Sequence, residues 1–367
     1  MRIDARSLRE LLSDPSRIID ALIVFVPIAL VLAWVGADST AIFITSALGI
    51  VPLAGILGEA TDALSHRAGT HIGALLNATF GNAAELIITI AAIRAGLLEV
   101  VKASITGSII GNILLVLGLA VLAGGLKHGF QRFGRRIAST SLTMMAIAVI
   151  GLTIPALFAQ AIEAQNHAGV ENLSIGVAIA LIIGYVLTLV FTFTQPPERI
   201  RTGAAKVTEP EHEHWSTSRA LVILAVSVLF LATLSEILVG AIEPVIREHG
   251  LTELFVGVII VPIIGNAAEH LVAVEMAMKN KMDLALGIAL GSSMQVALLV
   301  APILVFISLA AGNPMSLVFN PFEIAALAAS VVIAALIALD GESNWLEGAQ
   351  LIIVYVILAM AFFYLPV

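Results

Sequence analysis

The sequence has no cysteine, and only 12% of its residues are charged and 6% aromatic. Without cysteine there is no disulfide framework, thiol nucleophile or thiolate metal site. The charged fraction is about half the roughly 25% of an ordinary soluble domain. A His-Glu-x-x-His metal motif, a Gly-rich nucleotide loop and a Ser/His dyad are also missing, so neither an intramembrane enzyme nor ATP-driven transport finds its chemistry here. A chain with 18 Lys and Arg against 26 Asp and Glu lacks the positive charge that a nucleic-acid partner calls for. What remains is apolar: 59% hydrophobic residues and a mean hydropathy of +1.05 mark a chain whose solvent is lipid.

A membrane helix needs about 20 mostly apolar residues. That criterion gives eleven spans, at 19–36, 39–65, 71–95, 98–123, 137–160, 173–194, 218–247, 252–278, 282–311, 321–340 and 345–365. The first ends in Gly36-Ala37-Asp38 with no clear cleavage site and reads as a membrane helix rather than a removed signal. With the N-terminus cytoplasmic, inner segments hold 15 of the 18 cations, leaving Arg94, Lys102 and Arg247 outside. The positive-inside bias therefore predicts an inner or plasma membrane protein with its N-terminus inside and its C-terminus outside. The one substantial polar stretch runs from Gln195 to Ser216 and contains Glu209-Pro210-Glu211-His212-Glu213-His214. It reads as a solvated acidic linker, with a metal-sensing role left open.

The strongest signal is internal. Gly81-Asn82-Ala83-Ala84-Glu85 recurs as Gly265-Asn266-Ala267-Ala268-Glu269, and Gly107-Ser108 recurs as Gly291-Ser292, both at a spacing of 184 residues. Two motifs in one register argue for duplication. Setting the first helix aside leaves five spans per half, so corresponding helices cross in opposite directions, as in transporters built from inverted repeats. The expected architecture is an all-α polytopic membrane protein: residues 1–38 hold the N-terminal segment and first helix, 39–194 the first five-helix repeat, 195–217 the linker and 218–367 the second repeat.

Glu85 and Glu269 sit in otherwise apolar spans, where an ionisable residue costs at least about 2.5–3.5 kcal/mol on insertion scales and is a functional hypothesis by default. Related by pseudo-symmetry, they are expected to face each other. Gly81, Asn82, Gly265 and Asn266 weaken the local helix, which predicts a break exposing backbone carbonyls. With the two amides and two carboxylates these make a hard oxygen set suited to Ca²⁺. Ser108 and Asn112 at i,i+4, and Ser292 and Gln295 at i,i+3, each offer a hydroxyl and an amide on one helix face, though small-residue packing accounts equally well for Gly and Ser there. Glu59 with Asp62, and Glu236 with Glu243, share helix faces. Glu59 and Glu236 are the deeper members and the better candidates for a proton or cation path. His270, where the first repeat has Leu86, is either a proton relay or a packing residue.

These motifs, with the string Lys279-Asn280-Lys281-Met282-Asp283 through Gly287-Ile288-Ala289-Leu290-Gly291-Ser292-Ser293, resemble the two repeat signatures of the Ca²⁺/H⁺ (cation/proton) exchangers of the Ca²⁺:cation antiporter superfamily. The resemblance runs over essentially the whole chain. It implies eleven helices, an acidic central linker, and Glu85 and Glu269 as a shared Ca²⁺ and H⁺ site; the acidic stretch here is short for that pattern. Na⁺/Ca²⁺ exchange is the nearest alternative, but that branch follows its repeat glycine with Ser/Thr-Pro-Glu, whereas both copies here read Ala-Ala-Glu. Exchange of Mn²⁺, Na⁺ or K⁺ for H⁺, and a passive cation channel, stay open. The expected partners are transported Ca²⁺ and H⁺ and the bilayer, with no cofactor; self-association into a homo-oligomer is undetermined.

Overall fold

The computed structural model describes residues 19–163, 167–194 and 215–365. The N-terminal arginines up to Arg17 and the acidic and histidine run of the linker, including His212 and His214, lie outside them. Apart from one two-residue strand pair, the regular structure among the described residues is helical. In chain order it comprises α1 (Phe25–Val35), α2 (Ser39–Ala68), α3 (Thr70–Phe80), α4 (Ala83–Arg94), α5 (Leu98–Ile110), α6 (Leu117–His128), β1 (Gln131–Arg132), α7 (Arg135–Glu163) and α8 (His167–Thr194). There follow α9 (Thr217–His249), α10 (Glu253–Phe255), α11 (Val261–Gly265), α12 (Ala267–Met278), α13 (Met282–Gln295), α14 (Ala301–Ala310), α15 (Pro321–Ile337), β2 (Glu342–Ser343) and α16 (Trp345–Tyr364). Three π-helical segments, Gly111–Val116, Val256–Ile260 and Val296–Val300, join α5 to α6, α10 to α11 and α13 to α14.

Local chemistry sets many of the ends. Asp38 accepts from Ala41 N–H at the start of α2, and Ser216 from Arg219 N–H at the start of α9. Gly36 closes α1 and Gly250 closes α9 in left-handed conformations that a Cβ would oppose. Prolines stay inside long helices at Pro52, Pro155 and Pro244, as tolerated where neighbouring groups re-satisfy the backbone in lipid.

Among the described residues seven helical stretches are long and apolar enough to cross a membrane, or eight if the pair α10–α11 and α12 counts as one span. The distribution of polarity is that of an integral membrane protein. Large apolar side chains such as Leu187, Phe191, Leu221, Leu229, Ile353 and Ile357 stand exposed on α8, α9 and α16, while Asn82, Glu85, Thr106, Asn112, Asn266 and Glu323 are buried. An apolar exterior of this extent calls for a lipid neighbour.

The duplication reaches the backbone. Adding 184 to the first residues of α4, α5 and α6, which are 83, 98 and 117, gives 267, 282 and 301, the first residues of α12, α13 and α14. The π-helical step before α6 likewise has its counterpart before α14.

The chain forms two compact units. The first takes the described residues up to Ala91, with Trp215–Leu251 and Ile264–Leu271; the second takes the rest. Within the first, α2 packs along α9 so closely that a Cβ on Gly49 would stand 2.7 Å from Leu234 Cδ2. Within the second, β1 pairs antiparallel with β2, Gln131 opposite Ser343 and Arg132 opposite Glu342.

Candidate ion-binding site

Both motif copies sit at helix breaks in the first unit. Gly81 and Asn82 separate α3 from α4, and Asn266 separates α11 from α12, where the chain bends by 61°. The expected distortion is thus a true interruption. Asn82 O accepts from Leu86 N–H and Asn266 O from His270 N–H, each at 3.0 Å, which makes both asparagines N-cap residues. Glu85 and Glu269 follow at the third position of their helices, inside the first turn.

The spacing Asn-x-x-Glu occurs four times in the sequence, and the other two copies provide an internal comparison. In Asn320-Pro321-Phe322-Glu323 and Asn344-Trp345-Leu346-Glu347 the glutamate folds back to accept from the N-cap N–H, at 2.9 and 3.1 Å, completing a capping box. At the twin breaks the box is open. Both oxygens of Glu85 and Oε2 of Glu269 are buried with no hydrogen-bond partner among the described residues. The helix N-terminus favours a negative group by only about 0.3–1 kcal/mol, whereas an uncompensated buried carboxylate costs several. The helix dipole alone does not offset the cost of those unpartnered oxygens if they are ionised.

The two glutamates lie close enough for their charges to interact. Gly265 gives Glu85 its room: a Cβ there would stand 3.1 Å from Glu85 Cγ and 3.5 Å from Cδ. Among the described residues no three His, Asp or Glu side chains converge on one point, so a six- to eight-coordinate ion would need amide, hydroxyl or backbone oxygens as well.

The remaining candidates divide by unit. In the second, Asn112 Nδ2 donates to Ser292 Oγ at 3.0 Å, joining an amide of the first repeat to a hydroxyl of the second. Ser108 is buried and Gln295 half-buried there. Gly107 is a packing glycine, since a Cβ would meet Val258 O at 2.1 Å. Glu59, Asp62, Glu236 and Glu243 are all exposed on α2 and α9 of the first unit. In the 184-residue register Glu59 corresponds to Glu243. His270 is half-buried; as the next residue along a helix it points away from Glu269 rather than across to it.

Sequence reasoning missed the π-helical segments, which follow Ser108 and Ser292 and include Asn112 in one copy. Such insertions are frequent at functional sites, but their residues read as ordinary apolar helix. It also missed the capping-box contrast, although the fourfold Asn-x-x-Glu spacing was there to find.

Apolar helices with carboxylates at two matched breaks are those of an integral membrane protein, and the relatives it matches are transporters rather than enzymes. The chain belongs to the sodium/calcium exchanger protein family, whose model matches residues 38–194 and 219–364. It is 45% identical over 358 residues to a Ca(2+)/H(+) antiporter of Aphanothece halophytica, covering 94% of this chain and 96% of that one. It is 42% identical over 342 residues to the Ca(2+)/H(+) antiporter ChaA of Bacillus subtilis, covering 93% and 97%. Among solved structures, the Ca2+/H+ antiporter protein YfkE superposes with a TM-score of 0.82 at 39% identity, covering 95% of this chain and 100% of that one. The H+/Ca2+ exchanger CAX shares the fold with a TM-score of 0.70 at 14% identity, covering 94% and 91%.

Proposed function

We propose that this protein is a secondary antiporter exchanging Ca²⁺ for H⁺ by alternating access, with both ions competing for Glu85 and Glu269. The observation that carries the reading is the pair of open capping boxes: two N-capped helix starts present carboxylates whose buried oxygens lack a protein donor. Asn82, Asn266 and the backbone around Gly81 and Gly265 complete the oxygen set. With Ca²⁺ bound, both carboxylates are ionised and compensated. With Ca²⁺ gone, protons take its place. The empty, doubly charged site is too costly to carry across the bilayer, and that cost couples the fluxes.

Eleven spans in two inverted five-helix repeats, with the N-terminus cytoplasmic and the C-terminus outside, form the frame of this proposal. Contacts between loops and helix ends support it, because each falls on one side under that assignment. Thr40 bonds Glu248 and His249, Asn313 bonds Ile93 O, Lys102 bonds Val318 O and Leu317 N–H bonds Ser174 Oγ, all at outer ends. Arg67 bonds Thr217, Gln131 bonds Asn280, Gly134 N–H bonds Asp283 and β1 pairs with β2, all at inner ends. The relatives named for Ca(2+)/H(+) antiport support the choice of ions over the Na⁺/Ca²⁺ alternative.

The test is uptake of radiolabelled Ca²⁺ into vesicles under an imposed pH gradient, with a protonophore and with Na⁺ in place of the proton gradient. Uptake should need the pH gradient, ignore Na⁺ and vanish in Glu85→Gln and Glu269→Gln. Proton-coupled uptake retained by both variants overturns the shared site; uptake driven by Na⁺ overturns the choice of ion.

A further inference from the structure

The second unit holds another buried acid that the exchange mechanism does not use. Glu323 is 1% exposed. Its Oε2 accepts from Asn320 N–H at 2.9 Å, while Oε1 is buried without a hydrogen-bond partner among the described residues. Thr106, 0% exposed, is in the same position: its hydroxyl neighbours the Glu323 carboxyl yet makes no hydrogen bond as placed. The charged groups facing Glu323 are Lys102 and Glu99. Lys102 is committed elsewhere, ion-paired to Glu99 and donating to Val318 O at 3.1 Å. Glu323 therefore has no ammonium of its own in contact.

A bare carboxylate oxygen in such a place costs several kcal/mol, and so does a buried hydroxyl left unpaired, to a lesser degree. One proton removes both costs. The geometry points to Glu323 as a second proton-binding carboxyl, protonated on Oε1 and donating from there to Thr106 Oγ1. Lys102 is the competing cation. Its side chain is 12% exposed and that of its partner Glu99 65% exposed, so the cluster opens outward on the Glu99 side. Turning Lys102 from Glu99 to Glu323 replaces the proton with an ammonium and releases the proton to water.

Infrared difference spectra of the purified full chain, recorded across pH, test this directly through the carboxylic C=O band of a protonated glutamate. The band should disappear in Glu323→Gln, which keeps an oxygen for the Asn320 N–H, and shift in frequency in Thr106→Val. Lys102→Met should make it persist to higher pH, because the competing cation is gone. Glu85→Gln should leave it in place. A band that survives Glu323→Gln, or is untouched by Thr106→Val, overturns the assignment. A band lost only in Glu85→Gln gives the proton to the ion site instead. The outcome is independent of the proposed exchange, since a chain showing no pH-coupled Ca²⁺ flux would still display the Glu323 band.

Discussion

Replacing Gly265 with alanine adds one methyl group 3.1 Å from Glu85 Cγ, 3.5 Å from Cδ and 3.8 Å from Oε1. Ordinary carbon contacts fall at about 3.5–4.0 Å, so Cγ must retreat by roughly 0.4–0.9 Å from a site where Glu85 is only 3% exposed. Calcium–oxygen distances span about 2.3–2.6 Å, a narrower tolerance than that displacement. Losing or lengthening one charged ligand costs about 1.5–3 kcal/mol, equivalent to a rise of about 10- to 150-fold in the Ca²⁺ concentration for half-maximal transport. Thermal stability should not fall, because alanine is the better helix former by up to about 1 kcal/mol. Gly287→Ala provides the control: a Cβ there meets nothing within 4 Å, and transport should be unchanged. The assay is the concentration dependence of Ca²⁺ uptake into vesicles. A Gly265→Ala protein with unchanged half-saturation refutes the assignment of the Glu85 carboxylate as an ion ligand.

Competition between protons and Ca²⁺ fixes the sign of the pH response: acidifying the side from which Ca²⁺ binds protonates the ligands, so half-saturation rises while maximal rate is kept, by about tenfold per pH unit for each competing proton at the limit. A half-saturation that ignores pH excludes shared carboxylates. Ser292→Ala removes the acceptor for Asn112 Nδ2 and should lower stability by about 0.5–1.5 kcal/mol. A double-mutant cycle with Asn112→Ala then checks the pairing, and an additive result would deny it.

The long apolar helices were legible because lipid demands long apolar runs, and the breaks because Gly-Asn makes a poor helix interior. The 184-residue register was legible for the same motifs. That Glu59 and Glu236 turn exposed faces was not legible, because position along a helix does not say which way its faces turn; that depends on how α2 and α9 pack. Asn112 was found as a polar residue, but its bond to Ser292 was not legible, because only the fold brings the two together. Glu323 passed unnoticed because a glutamate three residues after asparagine and followed by an apolar run reads as a cap. It is a cap through one oxygen only.

The interleaved first unit also dictates an order of assembly. Between Ala91 and Trp215 the ribosome must make 123 residues that belong to the other unit, which at about 5–20 residues per second takes roughly 6–25 s. Throughout that interval α2 waits in the bilayer without α9, and Glu85 without Glu269. Lipid, water or the insertion machinery must shelter a carboxylate whose partner has not yet been translated, so the residues most exposed to failure during biogenesis are the same ones on which the ion depends.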